Sequence, residues 1–300
     1  MSDAQNQTDK VWLVGGATAS GKSALALDLA KRLGGEIINA DSMQVYRDLR
    51  ILTARPSAAD EAAAPHHLFG VADASDAWSV GRWLGAARHV LAGIAARGRP
   101  AIVVGGTGLY LRALTQGLAD IPPIPAAARA KAQERFDLLG EAGFRRELAK
   151  LDPKAEARIA AGDRQRLTRA LEVHVATDVA LSDWQDAQTP VLSPSTWRAV
   201  VVDLPRDQLY HRCDARLAAM VEEGALEEVE RLMGRELPPN LPVMKALGVG
   251  VLADHLAGRI DRSQAIARAQ TQTRHYAKRQ LTWFRTQTAD WERISEPGAL

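Results

Sequence analysis

Cysteine is almost absent from this chain: Cys213 is its only one. An internal disulfide and a thiolate zinc site are therefore both excluded, and a reducing, cytoplasmic setting is the default expectation. No run of eighteen apolar residues occurs, so no membrane partner is expected. The opening residues Met1 to Lys10 lack the apolar stretch of a signal peptide and read as a short disordered tail. A surplus of one charge is missing as well. The formal net charge is +2 over 300 residues, so a polyanionic partner can be argued only from where the charges cluster. What remains is an ordinary globular composition, 46% hydrophobic and 25% charged, without repeats or low-complexity tracts. That length suits one large α/β domain, or a core with a smaller domain set into it.

Short runs that end in glycine or an acid read as buried strands: Val11 to Val14 before Gly15-Gly16, Glu36 to Ala40 before Asp41, and Ala101 to Val104 before Gly105-Gly106. Helices are expected between them, near Lys22 to Leu33 (closed by Gly34-Gly35) and near Ser79 to Ala96. This alternation predicts a parallel sheet with right-handed crossovers. From Pro122, Pro123 and Pro125 the pattern turns helical, with helices expected at Ala126 to Leu139, Glu141 to Lys150 and Arg164 to Ala176. A looser polar segment, Ser182 to Ser195, precedes another strand at Trp197 to Leu204, and a long helix is expected at Arg262 to Thr286. The predicted fold class is thus α/β: a P-loop NTPase-like core, its parallel sheet flanked by helices, with an all-helical insertion domain. The expected limits are 1–122 for the first part of the core, 123–196 for the insertion, and 197–300 for the second part with its basic C-terminal helices.

Gly16-Ala17-Thr18-Ala19-Ser20-Gly21-Lys22-Ser23 fits the pattern G-x-x-x-x-G-K-[ST] in full, between a strand and a helix. The two glycines let successive N–H groups converge on one anion, and the helix adds its positive end. Lys22 supplies a charge and the Ser23 hydroxyl suits Mg²⁺. The phosphate-splitting P-loop proteins carry an acidic residue after a further strand. Here that strand is followed by Gly105-Gly106-Thr107-Gly108, without a carboxylate. The acid at a strand end is Asp41, either a general base opposite the phosphate site or a helix N-cap. Strand ends in open α/β sheets converge on ligands, so Asp41, Thr107 and the P-loop are expected to meet.

These motifs resemble one family, the tRNA dimethylallyltransferases or tRNA isopentenyltransferases. The P-loop, DSMQVY (Asp41 to Tyr46) and GGTGLY (Gly105 to Tyr110) are similar to its first three motifs. DRQRLTRALE (Asp163 to Glu172) resembles its insertion motif, and Asp214 to Met220 with Gly224 a further core motif. TRHYAKRQLTWFR (Thr273 to Arg285) is similar to its C-terminal signature. The resemblance implies transfer of a dimethylallyl group from dimethylallyl diphosphate to N6 of adenosine 37 in the tRNA anticodon stem-loop, releasing diphosphate. It places the diphosphate on residues 16–23, with Mg²⁺ at Ser23 and no ATP involved. It makes Asp41 the base, sets Thr107 at the diphosphate and Arg216 on the leaving group. It also puts Asp41, Ser42, Met43, Gln44, Thr107, Arg129, Gln165, Arg166, Leu167, Thr168 and Arg169 at positions that contact tRNA. In one place the chain departs from the family: Met244 to Gly250 lacks the tyrosine usual after the glycine at Gly248.

Basic residues cluster at Arg259, Arg262, Arg268, Arg274, Lys278, Arg279 and Arg285, and in the insertion at Arg129, Arg145, Arg146, Arg158, Arg164, Arg166 and Arg169. Such clusters suit phosphate contacts, although singly they also describe a solvated face. Tyr276, Trp283 and Phe284 are placed either to stack on unpaired bases or, for the last two by preference, to pack inward. His66-His67 lacks partners at ligand spacing and reads as loop. A free-nucleotide enzyme (a nucleotide kinase or an adenylate isopentenyltransferase) and a non-catalytic RNA-binding P-loop protein stay open as alternatives. A monomer is the expectation.

Overall fold

Runs of β-branched residues too short for helices set the centre of the fold. The computed structural model describes residues 11–295; the expected N-terminal tail, Met1 to Lys10, lies outside them. Six strands, β1 (Val11–Gly16), β2 (Glu36–Asn39), β3 (His66–His67), β4 (Ala101–Gly105), β5 (Trp197–Val202) and β6 (Glu292–Ile294), form one sheet in the order β3-β2-β4-β1-β5-β6. Every pairing is parallel, as crossover connections require. Strands β2 and β4 are buried along their whole length, which is why β4 reads as a continuous apolar run and β2 keeps adjacent isoleucines rather than alternating.

Helices α1 (Lys22–Leu33), α2 (Ala58–Ala63), α3 (Val80–Ala96) and α4 (Gly108–Thr115) belong to the first half of this unit. Leu25, Ala26, Leu29 and Ala30 of α1 pack against Val14, Ile37, Ile102 and Val200 of the sheet. In the order of the chain, α5 (Ala126–Leu151), α6 (Pro153–Arg158), α7 (Arg164–Thr177) and α8 (Leu181–Asp186) follow, and then α9 (Arg206–Glu222), α10 (Ala225–Met233), α11 (Val249–Leu256) and α12 (Arg262–Gln287). Helix α12 buries Ala265, Ala269, Thr273, Ala277, Gln280, Leu281 and Phe284 on one face. The small residues at four-residue spacing let it lie close against α9.

Residues Gln116–Val191 form a separate compact unit. Its core gathers Ala128, Ala132, Phe144, Leu148, Leu167, Leu171 and Leu181. The two helices read at Ala126 to Leu139 and Glu141 to Lys150 form one interrupted element, broken at Gly140, whose φ of 61° leaves the helical region. Buried Asp152 caps α6 through the Ala155 N–H and also accepts from Ser182 N, both at 2.9 Å.

Two expectations need correction, and one strand was not anticipated. His66-His67 is not loop but an edge strand: His67 pairs in β3, and its Nε2 lies 2.7 Å from Glu36 Oε2. The segment Ser182 to Ser195 opens inside a helix, α8, whose six residues are too few to display a period. Strand β6 has only three residues and left no signal in the sequence.

Candidate functional site

The glycine-rich turn bends where the sequence permits it. Gly16 has φ 155° and Gly21, which caps α1, has φ 96°. Ala19, at φ 62°, is an unforeseen left-handed residue, a conformation that costs a side-chain-bearing residue about 1–2 kcal/mol. Strain of this kind persists where the surrounding structure enforces it, commonly in ligand clamps. The first turn of α1 carries no acid to oppose an anion. Ser20 Oγ is buried and has no hydrogen-bond partner among the described residues. Lys22 Nζ donates to the Ala17 carbonyl at 3.2 Å. Burial lowers the Lys22 pKa to about 8, Asp41 pulls it back up, and Arg216 lowers it further. A buried cation that loses hydration is poised to accept a multivalent anion.

Asp41 stands where β2 ends. Its N–H donates to Asn39 Oδ1 (2.7 Å), and its own Oδ1 accepts from Met43 N (2.9 Å). That is an Asx turn rather than a helix cap, and it leaves the other carboxylate oxygen outside this turn. Asn39 is pinned in turn by donating from Nδ2 to the Asp41 and Leu68 carbonyls, each at 3.0 Å. Thr107 follows β4: its N–H donates to Ala40 O, and its hydroxyl accepts from Ser42 N at 3.0 Å. Gln44 donates from Nε2 to the Thr53 and Ala54 carbonyls, each at 2.8 Å. Glu228 of α10, almost fully buried, accepts from the N–H groups of Arg50, Ile51 and Leu52 and so holds the neighbouring loop. The acidic position found after a strand in phosphate-splitting relatives of this fold is occupied here by glycine and threonine.

Helix α9 brings Arg216 to the same place. Its Nη2 donates to Thr18 Oγ1, and burial lowers its pKa from the usual guanidinium value. Arg216, Thr18, Asp41, Ser42 and Met43 border a cavity of ≈ 230 Å³. Thr18, Asp41, Arg216, Tyr276 and Arg279 supply its polar wall, and Met43, Leu52, Leu217, Met220 and Leu247 its apolar one. Tyr276 is largely desolvated, which raises its pKa, with Asp41 adding to the effect, so its phenol stays protonated. Arg216 and Asp41 thus border one partly apolar space, and Lys22 is close enough for its charge to feel both.

The chain belongs to the IPP transferase family.

That family matches over residues 44–287, and the Isopentenyl transferase family over residues 9–64. A tRNA dimethylallyltransferase of Phenylobacterium zucineum is 59% identical over 95% of this chain and 92% of its own. The full-length tRNA isopentenylpyrophosphate transferase of Bacillus halodurans has a TM-score of 0.67 at 34% identity, covering 95% of this chain and 89% of its own. A eukaryotic dimethylallyltransferase acting on tRNA superposes with a TM-score of 0.82 at 28% identity, over 96% and 74%. Among the described residues, no helix is long and apolar enough to cross a membrane.

Within the unit 116–191, Arg129, Gln165 and Arg166 are exposed, the last two in the first turn of α7. Arg169 is half-buried, 3.4 Å from Glu172. Leu167 is fully buried in the core, and Thr168 is buried with its hydroxyl on the Arg164 carbonyl. Neither side chain is free to reach a ligand, because helical spacing turns positions 167 and 168 inward when 165 and 166 face out. Several arginines counted as basic surface are tied to acids or carbonyls of the same unit. Arg145 binds Glu141, Glu156 and the carbonyls of Ile159 and Ala160, and Arg164 is paired with Asp137 at 2.5 Å. On the C-terminal stretch, Arg259, Arg262, Arg274 and Arg285 pair with acids. Phe284 is buried and Trp283 packs on Gly108, so the inward reading holds for both.

Two residues escaped sequence reasoning. Glu228 sits in a run of glutamates that gives no hint of which is buried. Gln280 accepts from Thr18 N and donates to Gly106 O, each at 2.8 Å, and its only signal is a polar residue on the small-residue face of α12.

Proposed function

We propose that the chain transfers a dimethylallyl group from dimethylallyl diphosphate to N6 of adenosine 37 in tRNA, with release of diphosphate. The observation that carries this reading is that Arg216 and Asp41 line one cavity with an apolar wall, with Lys22 electrostatically coupled to both. In the reaction, N6 attacks the terminal allylic carbon, the carbon–oxygen bond breaks, and its electron pair leaves on diphosphate. Positive groups fixed in advance at that oxygen lower the barrier, because they need no reorganisation as charge develops. Lys22, Arg216 and the N–H groups of residues 19 and 21–23 are assigned this task, the Ser20 N–H being engaged by the Ala17 carbonyl. The N6 proton passes to the Asp41 carboxylate, and general bases of this kind contribute about a hundred- to ten-thousandfold. Thr107 and Ser42 position the Asp41 turn, and the apolar wall shelters the allyl group from water.

A divalent cation fits this site in one way only. Among the described residues no cluster of three or more His, Cys, Asp or Glu side chains is available, so Mg²⁺ would be held by substrate phosphates, water and the exposed Ser23 hydroxyl, a donor set that ion accepts. Bound there, it would neutralise charge on the departing diphosphate. The exposed Arg129, Gln165 and Arg166 are assigned to tRNA, together with Ser42, Met43 and Gln44 beside the base. The chain is taken to act as a monomer in the cytoplasm, with residues 123–196 as its tRNA-binding insertion.

The relatives named above support tRNA as acceptor over a free nucleotide. The test incubates the protein with labelled dimethylallyl diphosphate, Mg²⁺ and either tRNA or AMP. Label is expected on tRNA alone; label on AMP, or phosphate release from ATP, would overturn the reading.

A further inference from the structure

We infer that Gln280 is a positioning residue that fixes the spacing between the diphosphate loop and the loop carrying the base, and so sets donor against acceptor. The inference rests on the function proposed above. Gln280 is 5% exposed and lies between two loops that the sequence places far apart. Its Oε1 accepts from Thr18 N and its Nε2 donates to Gly106 O. One partner only donates and the other only accepts, so the orientation of the amide is settled by the pairing itself.

Each end of this bridge continues into reactive groups. On the donor side, Thr18 is held at every polar atom: its N–H by Gln280, its hydroxyl by Arg216, and its carbonyl by Cys213 Sγ at 3.8 Å. On the acceptor side, Gly106 leads directly to Thr107, whose N–H is held by Ala40 O and whose hydroxyl holds Ser42 N beside Asp41. A single amide therefore joins the grip on the leaving group to the turn that aims the base. Gly106 is cut to receive it: a Cβ there would collide with Gln280 Nε2 and stand 3.2 Å from Gly16 O. Thr18 N, being engaged by Gln280, is not a donor to the diphosphate. This narrows the anion cradle to the later residues of the turn.

A part whose only task is spacing should affect the chemical step rather than substrate affinity. A misplacement of about 1 Å can cost on the order of a hundredfold in rate. The test measures single-turnover transfer at saturating dimethylallyl diphosphate and tRNA for the wild type, Gln280→Leu, Gly106→Ala and the double variant, with separate titrations of both substrates and melting curves. Each single variant is expected to lose about ten- to hundredfold in rate, with each substrate's affinity within about threefold of wild type. The double variant is expected to be no slower than the worse single one, since both break the same bridge. Gly106→Ala keeps α12 intact, so the question is answered even if Gln280→Leu folds poorly. Wild-type rates in both single variants, a loss confined to substrate affinity, or additive losses would overturn the inference. A wild-type protein that fails to label tRNA would instead overturn the proposed function.

Discussion

The titration of Lys22 gives the sharpest check on the diphosphate grip. The ammonium group is buried in the turn, and its pKa is lowered to about 8 by that burial, against the pull of Asp41 and with the push of Arg216. In the free protein it is then about one-tenth neutral at pH 7, half neutral at pH 8 and about nine-tenths neutral at pH 9. Only the charged form pairs with the anion. The donor's own second ionisation, with a pKa of about 6, is about nine-tenths complete at pH 7 and essentially complete from pH 8. The dissociation constant should therefore be lowest near pH 7 and rise about tenfold by pH 9, equivalent to about 1.4 kcal/mol. The sign follows from the direction of the shift: a depressed ammonium pKa is charged on the acid side and discharges on the alkaline side. Titration calorimetry of dimethylallyl diphosphate without tRNA, at pH 7, 8 and 9, measures this directly. In Lys22→Met binding should be weaker by about 2–5 kcal/mol at pH 7, the usual penalty for truncating one partner of a buried charge pair, and its pH slope should vanish. A wild-type affinity constant to within twofold from pH 7 to 9, or the same slope in the methionine variant, would refute the reasoning.

Asp41→Asn should lower single-turnover transfer by about a hundred- to ten-thousandfold while leaving the tRNA dissociation constant within about twofold; a matching loss of tRNA affinity would move Asp41 from chemistry to binding. Arg166→Ala should weaken tRNA binding and reduce the salt slope by about one, which a filter-binding series in rising salt would read. Glu36, nearly fully buried, has its pKa held down to about 2, first by the hydrogen bond from Arg97, against the cost of burial, and then by His67. A depressed carboxylate stabilises the fold above its unfolded pKa of about 4.3, and that contribution fades as pH falls from there towards 2. Urea titrations from pH 7 to 3 should show this loss, and Glu36→Gln should flatten it while costing about 1–3 kcal/mol at pH 7.

How much of this was legible depended on the range of the interaction. Strands β1, β2, β4 and β5 announced themselves because an apolar run closed by glycine or an acid is a local signature, and the same end residues became the P-loop, Asp41 and Thr107. Strands β3 and β6 did not, since two or three residues hold no period, and His66-His67 is polar because it lies at a sheet edge beside Glu36. Arg216 became visible only through resemblance, and what it touches only through folding. The arginines of the insertion could be counted but not sorted. Arg145 and Arg166 look equivalent in sequence, yet one is braced by two glutamates and two carbonyls while the other stands in solvent. Gln280 lies beyond any local reading, because its partners are 262 and 174 positions away.

That distance has a bearing on synthesis and damage. A fragment interrupted anywhere between Arg216 and Gln280 would still display the glycine-rich turn, the aspartate and the arginine, yet its two loops would lack the amide that joins them. Full competence is thus withheld until α12 has been made and docked, so partial products should consume prenyl donor at least about ten- to hundredfold more slowly.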